Sequence, residues 1–345
     1  MPQTLGIVAS HFTYSTYLAV ASSSSPYIFV YPWSSGFGAK FSNPTTLPNS
    51  QSSNVAWLPA GSAIATANNS SPYVNAYSWS PSGFGTKYSD PATLPSNRAR
   101  VVNFSPDNAN IVVGRQGSFN PDAYVWSSSG FGTKYASASP EPGGTNDGTI
   151  WSPSGADIAT GASFSPYILV YPWSSSGFGT KYADPSPAVV GAVSTIMWSP
   201  SGADIAFNNF GTGSPTDVRI NVHAWSSGFG TKYADPSPVP YGGNNSVRFS
   251  PSGADIAISH GVSPNISVYP WSSGFGTKYS NPVGATGLNV AGSNDWSPSG
   301  TDIVFYGKNS SPYIFGYPWS SGFGTKYSDP ATIPTGASSV RFSKQ

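Results

Sequence analysis

The stretch Trp271-Ser-Ser-Gly-Phe-Gly-Thr-Lys-Tyr279 occurs, with small variations, seven times in the chain of 345 residues. Successive copies lie 46 to 51 residues apart, measured between the first glycines of their Gly-Phe-Gly cores. Repeats of ~20–50 residues indicate a solenoid, a propeller or another array of small structural units. The repeat therefore predicts the architecture before any single residue does. The seven cores begin at Gly36, Gly83, Gly130, Gly177, Gly228, Gly274 and Gly322.

Each repeat contains four short runs rich in aromatic and β-branched residues, which we name a, b, c and d in chain order. In the fifth repeat, run a is Ile196–Trp198, run b is Ala203–Phe207, run c is Val218–Trp225 and run d is Phe229–Tyr233. Gly, Pro, Ser or Asn bound the runs, as expected for short strands at regular spacing. A Ser-Pro-Ser-Gly turn follows run a in four repeats, and no stretch has a helical period with caps. The pattern predicts one four-stranded antiparallel sheet per repeat.

The run Val247-Arg-Phe-Ser-Pro-Ser-Gly-Ala-Asp-Ile-Ala257 resembles the phrase that WD40 and TolB-type propellers use for strands a and b. The following Ile266-Ser-Val-Tyr-Pro-Trp271 is similar to their strand c. The resemblance spans the chain and implies a fold rather than an activity, since the Gly-His and Trp-Asp dipeptides of WD40 repeats are missing. We therefore predict an all-β, seven-bladed β-propeller, residues 1–345 forming one domain. A β-helix is the architectural alternative, although its coils are usually shorter than these repeats.

An extra run of type a is present at each end of the chain. Gly6–Phe12 precedes the first run b, and Ser339-Val-Arg-Phe-Ser343 repeats Ser246-Val-Arg-Phe-Ser250 residue for residue. An open ring would leave unpaired strand edges. We therefore expect Val340–Phe342 to complete the first blade as its innermost strand and to displace Gly6–Phe12. In the alternative arrangement, Gly6–Phe12 stays in the first blade and the C-terminal strand pairs with another subunit.

The composition excludes several classes of protein. Only 8% of residues are charged, and 15 Lys and Arg nearly balance 14 Asp and Glu, so no basic patch for a nucleic acid is expected. Cysteine is absent, which rules out disulfides, thiolate catalysis and cysteine zinc sites. No apolar run approaches the ~18 residues of a membrane span. The N-terminus does not resemble a signal peptide, and the neutral, hydroxyl-rich composition favours a virion-exposed or extracellular location.

Loops that vary among the repeats are the predicted binding surface. The a–b and c–d turns change little, whereas the b–c and d–a loops, which share the opposite face of a propeller, differ in length and composition. Recognition is usually placed on variable loops of a rigid frame, although drift in unselected loops would look the same. Candidate partner-binding residues on that face are Arg98, Arg100, Arg115, Asp147, Asp217, Arg219, His260, Asp295 and Lys308.

Residues repeated in every blade are assigned structural roles. The strand-c tryptophans are predicted to pack between blades, and the phenylalanine of Gly-Phe-Gly to wedge between neighbouring sheets. The lysine of each repeated stretch is expected to be a solvated charge at the rim. Asp157, Asp204, Asp255 and Asp302 follow the a–b turn and are predicted to accept hydrogen bonds from it.

Catalysis has little support in the sequence. It contains three histidines and the single glutamate Glu141, and it lacks the Gly-x-Ser-x-Gly, His-Glu-x-x-His and phosphate-loop motifs. We therefore predict no enzyme, no catalytic residue, no metal site and no cofactor. The stretches Ser-Ser-Gly-Phe-Gly-Thr-Lys-Tyr-Ser-Asp-Pro resemble repeats of tailed-phage and marine viral proteins. That resemblance implies a virion-associated tail or capsid-decorating module that binds a virion component or the host surface. The alternative is a secreted, lectin-like propeller that binds a glycan.

Overall fold

The computed structural model describes residues 16–117, 121–145, 147–210, 220–240, 244–285, 291–307 and 311–343. These residues form short antiparallel strands joined by turns, and no helix occurs among them. The strands are, in chain order, β1 (Thr16–Ser22), β2 (Ile28–Trp33), β3 (Ser52–Trp57), β4 (Ala63–Asn68), β5 (Val74–Ser80), β6 (Gly83–Lys87), β7 (Ala99–Phe104), β8 (Asn110–Arg115), β9 (Asp122–Ser127), β10 (Gly130–Lys134), β11 (Thr149–Trp151), β12 (Asp157–Gly161), β13 (Ile168–Ser174), β14 (Gly177–Phe178), β15 (Val193–Trp198), β16 (Asp204–Asn209), β17 (Ile220–Trp225), β18 (Phe229–Lys232), β19 (Asn244–Phe249), β20 (Asp255–His260), β21 (Ile266–Pro270), β22 (Ala291–Trp296), β23 (Asp302–Gly307), β24 (Ile314–Pro318) and β25 (Ala337–Phe342).

The strands form seven sheets, one for each repeat, so the predicted seven-bladed propeller is confirmed. Blades 2 to 5 each contain four hydrogen-bonded strands, β3–β6, β7–β10, β11–β14 and β15–β18. Blades 6 and 7 contain β19–β21 and β22–β24, and blade 1 has the order β2-β1-β25. In blades 1, 6 and 7 the fourth strand is reduced to one bridge between the tryptophan and the phenylalanine of the repeated stretch.

The C-terminal strand closes the ring, as the duplicated Ser-Val-Arg-Phe-Ser sequence predicted. β25 pairs antiparallel with β1, and Val340 lies opposite Val20 in the register. One hydrophobic cluster joins Val340 and Phe342 to Val304 and Ile314 of blade 7. Blade 1 is therefore built from both ends of the chain and packs on the last blade, while Gly6–Phe12 lies outside the described residues.

Seven hydrophobic clusters fill the seven spaces between neighbouring blades. The strand-c tryptophans lie in these clusters, as predicted. All are buried except Trp173, which is partly buried. The stability of each blade therefore depends on its two neighbours, as in other repeat proteins.

The phenylalanine of the repeated stretch packs against the cluster between blades, as predicted, and the last aromatic residue of the stretch also reaches across to the next blade. Phe84 packs edge-on against Trp79 of its own blade, at 5.0 Å between ring centroids. Tyr88, by contrast, crosses to Trp126 of the next blade, at 5.1 Å. Gly130, which has a φ of 96°, lets this tyrosine approach, since a Cβ there would lie 3.0 Å from the ring. Gly130 is thus explained by a positive φ and a close approach between blades.

The aspartates that follow the a–b turn accept hydrogen bonds from aromatic side chains, and the predicted hydrogen bond from the turn is present at Asp302, whose carboxylate accepts from Thr301 Oγ1 at 3.1 Å. The turn serine accepts a hydrogen bond from the aspartate backbone N–H, at 3.0 Å between Ser250 Oγ and Asp255 N. The Asp255 carboxylate accepts from the Tyr279 hydroxyl at 2.9 Å and from Trp319 Nε1 of the next blade at 3.2 Å. Asp204 does the same with Tyr233 and Trp271, at 2.8 and 3.3 Å. The carboxylate therefore joins two neighbouring blades.

The repeated lysines lie at the rim, but they are paired rather than free in solvent. Lys87, Lys181, Lys232 and Lys326 each form an ion pair with the aspartate three residues later. Exposed pairs of this kind contribute at most ~1 kcal/mol each. Blade 3 is different, because Ser137 stands where that aspartate would be and Lys134 pairs with the buried Asp122 instead.

We expect stability to fall as the pH rises from about 10 to 12. Burial, together with the hydrogen bond to an aspartate, raises the pKa of Tyr182, Tyr233 and Tyr279 to about 12. In the unfolded chain these phenols ionise near pH ~10, so above that pH the unfolded state binds fewer protons and gains stability relative to the fold. Urea unfolding midpoints at about pH 9, 10 and 11 measure the effect.

The tyrosine contribution can be separated from that of the exposed ion pairs at the rim by a salt control. About 0.5 M NaCl screens the exposed lysine–aspartate pairs and should leave most of the pH dependence in place. Tyr233→Phe should reduce the slope, because phenylalanine does not ionise. A midpoint that stays constant from about pH 9 to 11 would contradict this assignment.

Candidate functional site

The innermost strands of the seven blades line a channel along the propeller axis. A cavity of about 450 Å³ opens on the side of the b–c and d–a loops, and we call it the loop-side cavity. A second cavity of about 480 Å³, the turn-side cavity, opens among the a–b turns. Both are lined by Asn103, Ile150, Arg248 and Arg341. We call the level of the channel at which these residues lie, between the two cavities, the waist. The loop-side cavity has the size of an ordinary small-molecule site.

Two adjacent positions of the innermost strand behave in opposite ways. The last residue of the strand is aromatic in every blade and is 3–8% exposed, because it packs between blades. The residue before it reaches the waist and differs in chemistry from blade to blade. From blade 1 to blade 7 these waist residues are Arg341, Ala56, Asn103, Ile150, Met197, Arg248 and Asp295. The repeat is therefore broken where the chain faces the axis.

Two arginines and one aspartate give the waist its charge. Asp295 lies on blade 7, between Arg248 on blade 6 and Arg341 on blade 1. One Asp295 carboxylate oxygen accepts a hydrogen bond from Phe342 N at 2.8 Å, and the other lies 3.8 Å from Arg248 Nε. Arg341 Nη1 donates to Ser293 Oγ and to the carbonyl of Val340, at 3.2 and 2.9 Å. Burial lowers the pKa of Arg248, and Asp295 opposes that shift.

The loop-side cavity holds a second charged pair, at the beginning of the innermost strands. Arg100 Nε lies 2.6 Å from an Asp147 carboxylate oxygen, and the pair joins blades 3 and 4. The two side chains are 37% and 23% exposed, so both are accessible from the cavity. Nine of the residues that line this cavity are serine or threonine. A cation and a carboxylate thus meet at a partly open, polar site.

Tyr306 of blade 7 also lines this cavity. Its ring lies over Gly292, where a Cβ would come within 2.0 Å of the phenol oxygen, so only glycine leaves room for it. Burial raises the pKa of Tyr306, and nearby Arg100 opposes that shift. The phenol therefore stays protonated at neutral pH and can donate a hydrogen bond. The matching positions of the other blades hold Ala21, Ala67, Gly114, Gly161, Asn208 and Ser259, which are all smaller.

The residues predicted as a binding surface fall into four groups. Arg100, Asp147 and Asp295 line the channel, and Asp295 lies within β22 rather than in a loop. Arg115 and His260 end strands β8 and β20 and are 6% and 2% exposed, so neither is presented to a partner. Arg98 is half-buried. Asp217, Arg219 and Lys308 lie outside the described residues.

Sequence reasoning missed Arg248, Arg341 and Tyr306. The arginines had been noticed only as parts of the duplicated Ser-Val-Arg-Phe-Ser sequence. Aligning the innermost strands of all blades would have found them, because the position before the aromatic is charged in only three blades. Among the described residues, no group of three or more His, Asp or Glu side chains is placed to bind a metal. No helix long and apolar enough to span a membrane was found in the described part of the chain.

Comparison with known proteins gives structural neighbours only. No protein-family model matches the sequence, and no curated protein sequence matches it significantly. The fold is similar to that of the periplasmic gluconolactonase of Pseudomonas aeruginosa, with a TM-score of 0.71 and 14% identity over 95% of this chain and 99% of that one. A putative 6-phosphogluconolactonase from Bacteroides fragilis is similar with a TM-score of 0.69 and 10% identity, covering 96% and 99% of the two chains. The Cps50 (Swd1) β-propeller domain of Myceliophteria thermophila has a TM-score of 0.62 and 11% identity, over 85% and 90%.

These neighbours correct the function expected from the sequence. The predicted virion-associated, non-catalytic module and the prediction of no enzyme are contradicted, since proteins that share this fold over nearly their whole length are named as lactonases. At 10–14% identity the likeness establishes the seven-bladed propeller alone. Linear motifs are a limited test of catalysis in this fold, because a propeller brings together residues from different blades.

Proposed function

We propose that the protein hydrolyses a small lactone bound in the loop-side cavity. The observation that carries the proposal is that the Arg100–Asp147 pair and Tyr306 line the same polar cavity on the propeller axis. The three side chains come from blades 3, 4 and 7, and the other blades do not repeat them. The lactonase names of three structural neighbours support the choice of reaction.

The three side chains supply what ring-opening hydrolysis requires. A water molecule attacks the lactone carbonyl carbon, and the Asp147 carboxylate accepts its proton as a general base. The Arg100 guanidinium lies against that carboxylate, where it orients the base and stabilises the negative charge that develops on the carbonyl oxygen. The bond from the acyl carbon to the ring oxygen then breaks. The ring oxygen takes a proton and becomes a hydroxyl, and the product is a hydroxy acid.

Tyr306 fits the role of hydrogen-bond donor in this scheme. Its raised pKa keeps the phenol protonated, so it can donate to the oxygen that gains negative charge. Gly292 allows the phenol to reach the cavity wall, since any side chain there would displace the ring. Donors fixed in this way stabilise a transition state without having to reorganise.

Acid release from gluconolactone and 6-phosphogluconolactone, corrected for spontaneous hydrolysis, tests the proposal. The wild-type protein should accelerate at least one of them, and Asp147→Asn should lower kcat by ~100-fold or more. Asp235→Asn is the matched control, because Asp235 pairs with Lys232 at the exposed rim, and its rate should equal that of the wild type. No acceleration of either lactone, or an unchanged rate in Asp147→Asn, would overturn the proposal.

A further inference from the structure

Arg248 is the most unusual side chain of the channel. It is 4% exposed, yet it lines both the loop-side and the turn-side cavity, so its guanidinium lies at the waist itself. An arginine has five N–H donors and no means of losing its charge in a protein. Buried donors are nearly always satisfied, and leaving them unpaired is costly. The partners of Arg248 therefore indicate what the waist is built to hold.

The protein supplies Arg248 with few acceptors. Its Nη1 donates to the thioether sulfur of Met197 at 3.4 Å, and sulfur is a weak acceptor. Its Nε has no hydrogen-bond acceptor among the described residues. Asp295 balances part of the charge, but at 3.8 Å it is beyond hydrogen-bond distance from that nitrogen. The guanidinium thus retains donors that a ligand in the channel can use.

The Asp295 carboxylate is shared between Arg248 and the neighbouring blade. One of its oxygens accepts from the backbone of Phe342, on the neighbouring blade. Arg341 adds a second positive charge on the far side of Asp295, and the two arginines outnumber the carboxylate. The waist therefore has a net charge of +1 (Arg248 and Arg341 at +2, Asp295 at −1). Asn103, whose amide donates to the backbone of Thr149, adds a polar side chain to the waist.

We infer that the waist is a subsite for an oxyanion, either the phosphate or the carboxylate group of a ligand whose remainder lies in the loop-side cavity. A planar guanidinium recognises both groups through paired hydrogen bonds. Arg100 lies three strand residues above the waist level of Asn103, which corresponds to ~10 Å. A phosphorylated six-carbon lactone is long enough to reach both. The inference deepens the proposed function and rests on it for the identity of the ligand, but binding of an anion at the waist stands on its own.

Inorganic phosphate is the probe, because it binds without turnover. Calorimetry should detect its binding to the wild-type protein, and chloride at matched ionic strength should give no signal. Arg248→Gln should bind phosphate at least tenfold more weakly. Arg341→Gln, at a partly exposed position, should weaken phosphate binding as well. It replaces Arg248→Gln in the test if that variant does not fold. Arg98→Gln, which alters a half-buried arginine that does not line the channel, is the control and should bind as the wild type does. Sulfate and gluconate titrations distinguish a phosphate subsite from a carboxylate subsite.

The outcomes separate this inference from the proposed function. If phosphate binds and Arg248→Gln abolishes binding while no lactone is hydrolysed, the subsite stands and the proposed activity falls. If lactones are hydrolysed but KM for 6-phosphogluconolactone is unchanged in Arg248→Gln, the subsite is refuted and the activity stands. Phosphate binding that is equally strong in the wild type and both arginine variants would also refute the inference, as would no binding to the wild type.

Discussion

Truncating the chain after Gly336 is expected to lower the melting temperature by more than about 10 °C. The truncation removes β25, which is the innermost strand of blade 1 and contributes Val340 and Phe342 to the cluster between blades 1 and 7. These side chains are 0% and 5% exposed. Loss of a buried side chain of this size costs ~2–5 kcal/mol, and the strand's hydrogen bonds to β1 are lost as well. The edge of β1 would then be exposed to other chains, so we also expect aggregation.

The matched control ends the chain at Ser343 and keeps β25 entire. Ser343 must be retained, because its Oγ accepts a hydrogen bond from Tyr17 N at 2.9 Å and its own N–H donates to the carbonyl of Tyr17. If the longer truncation yields no folded protein, Val340→Ala and Phe342→Ala measure the same interface by smaller steps. Thermal unfolding followed by circular dichroism gives the comparison. Equal melting temperatures for the truncation after Gly336 and the control would mean that β25 does not stabilise the ring.

The architecture could be predicted because the same short motifs recur along the chain, the Gly-Phe-Gly stretch in all seven repeats and the Ser-Pro-Ser-Gly turn in four. A Ser-Pro-Ser-Gly turn and the Gly-Phe-Gly stretch act over a few residues, so their effects on the backbone can be derived from the sequence. Ring closure was predictable for a related reason. Ser339–Ser343 duplicates Ser246–Ser250, and a strand that is chemically the same as an innermost strand can fill the vacant innermost position of blade 1.

Contacts between blades were harder to predict, because they join residues that are far apart in the sequence. The carboxylate of Asp255 meets the hydroxyl of Tyr279, 24 residues later, and the indole of Trp319, 64 residues later. Sequence reasoning could see the turn beside Asp255 and assigned the carboxylate to it. Whether the carboxylate accepts from the turn or from the aromatic side chains depends on how the sheets twist and stack. The sequence of a single repeat shows neither the twist nor the stacking.

The candidate site was only partly predictable for the same reason. Arg100 and Asp147 were selected as charges that break the repeat, and they do meet in the loop-side cavity. Arg248 and Arg341 were not predicted, because they lie within strands, whereas function was expected in the variable loops. In a ring of radially arranged blades, however, the innermost strand lines the axial channel, so its side chains can contact a ligand as loop residues can. Any residue of that strand that departs from the repeat is a candidate for function.

The second large effect is expected for Asp122→Ala, which should reduce the free energy of unfolding by ~3–5 kcal/mol. Asp122 is 1% exposed, and one of its oxygens lies 2.7 Å from Arg115 Nε. Lys134 pairs with the other oxygen. Burial raises the pKa of Asp122, while Lys134 and Arg115 oppose that shift. Removing the carboxylate takes the Asp122 counter-ion away from the Arg115 side chain, which is charged and 7% exposed.

Two further variants decide whether burial is the reason for this cost. Asp329→Ala breaks the same kind of lysine–aspartate contact at the rim, where Asp329 is 41% exposed, and should cost at most ~1 kcal/mol. The double change Asp122→Leu with Arg115→Leu removes both buried charges and should recover much of the stability lost in Asp122→Ala, because a buried pair replaced by apolar side chains is often nearly neutral. Urea unfolding measures all three. If Asp329→Ala and Asp122→Ala reduce the free energy of unfolding equally, the buried carboxylate contributes no more to stability than an exposed one at the rim. If the double variant is less stable than Asp122→Ala, the penalty does not come from an uncompensated charge at Arg115.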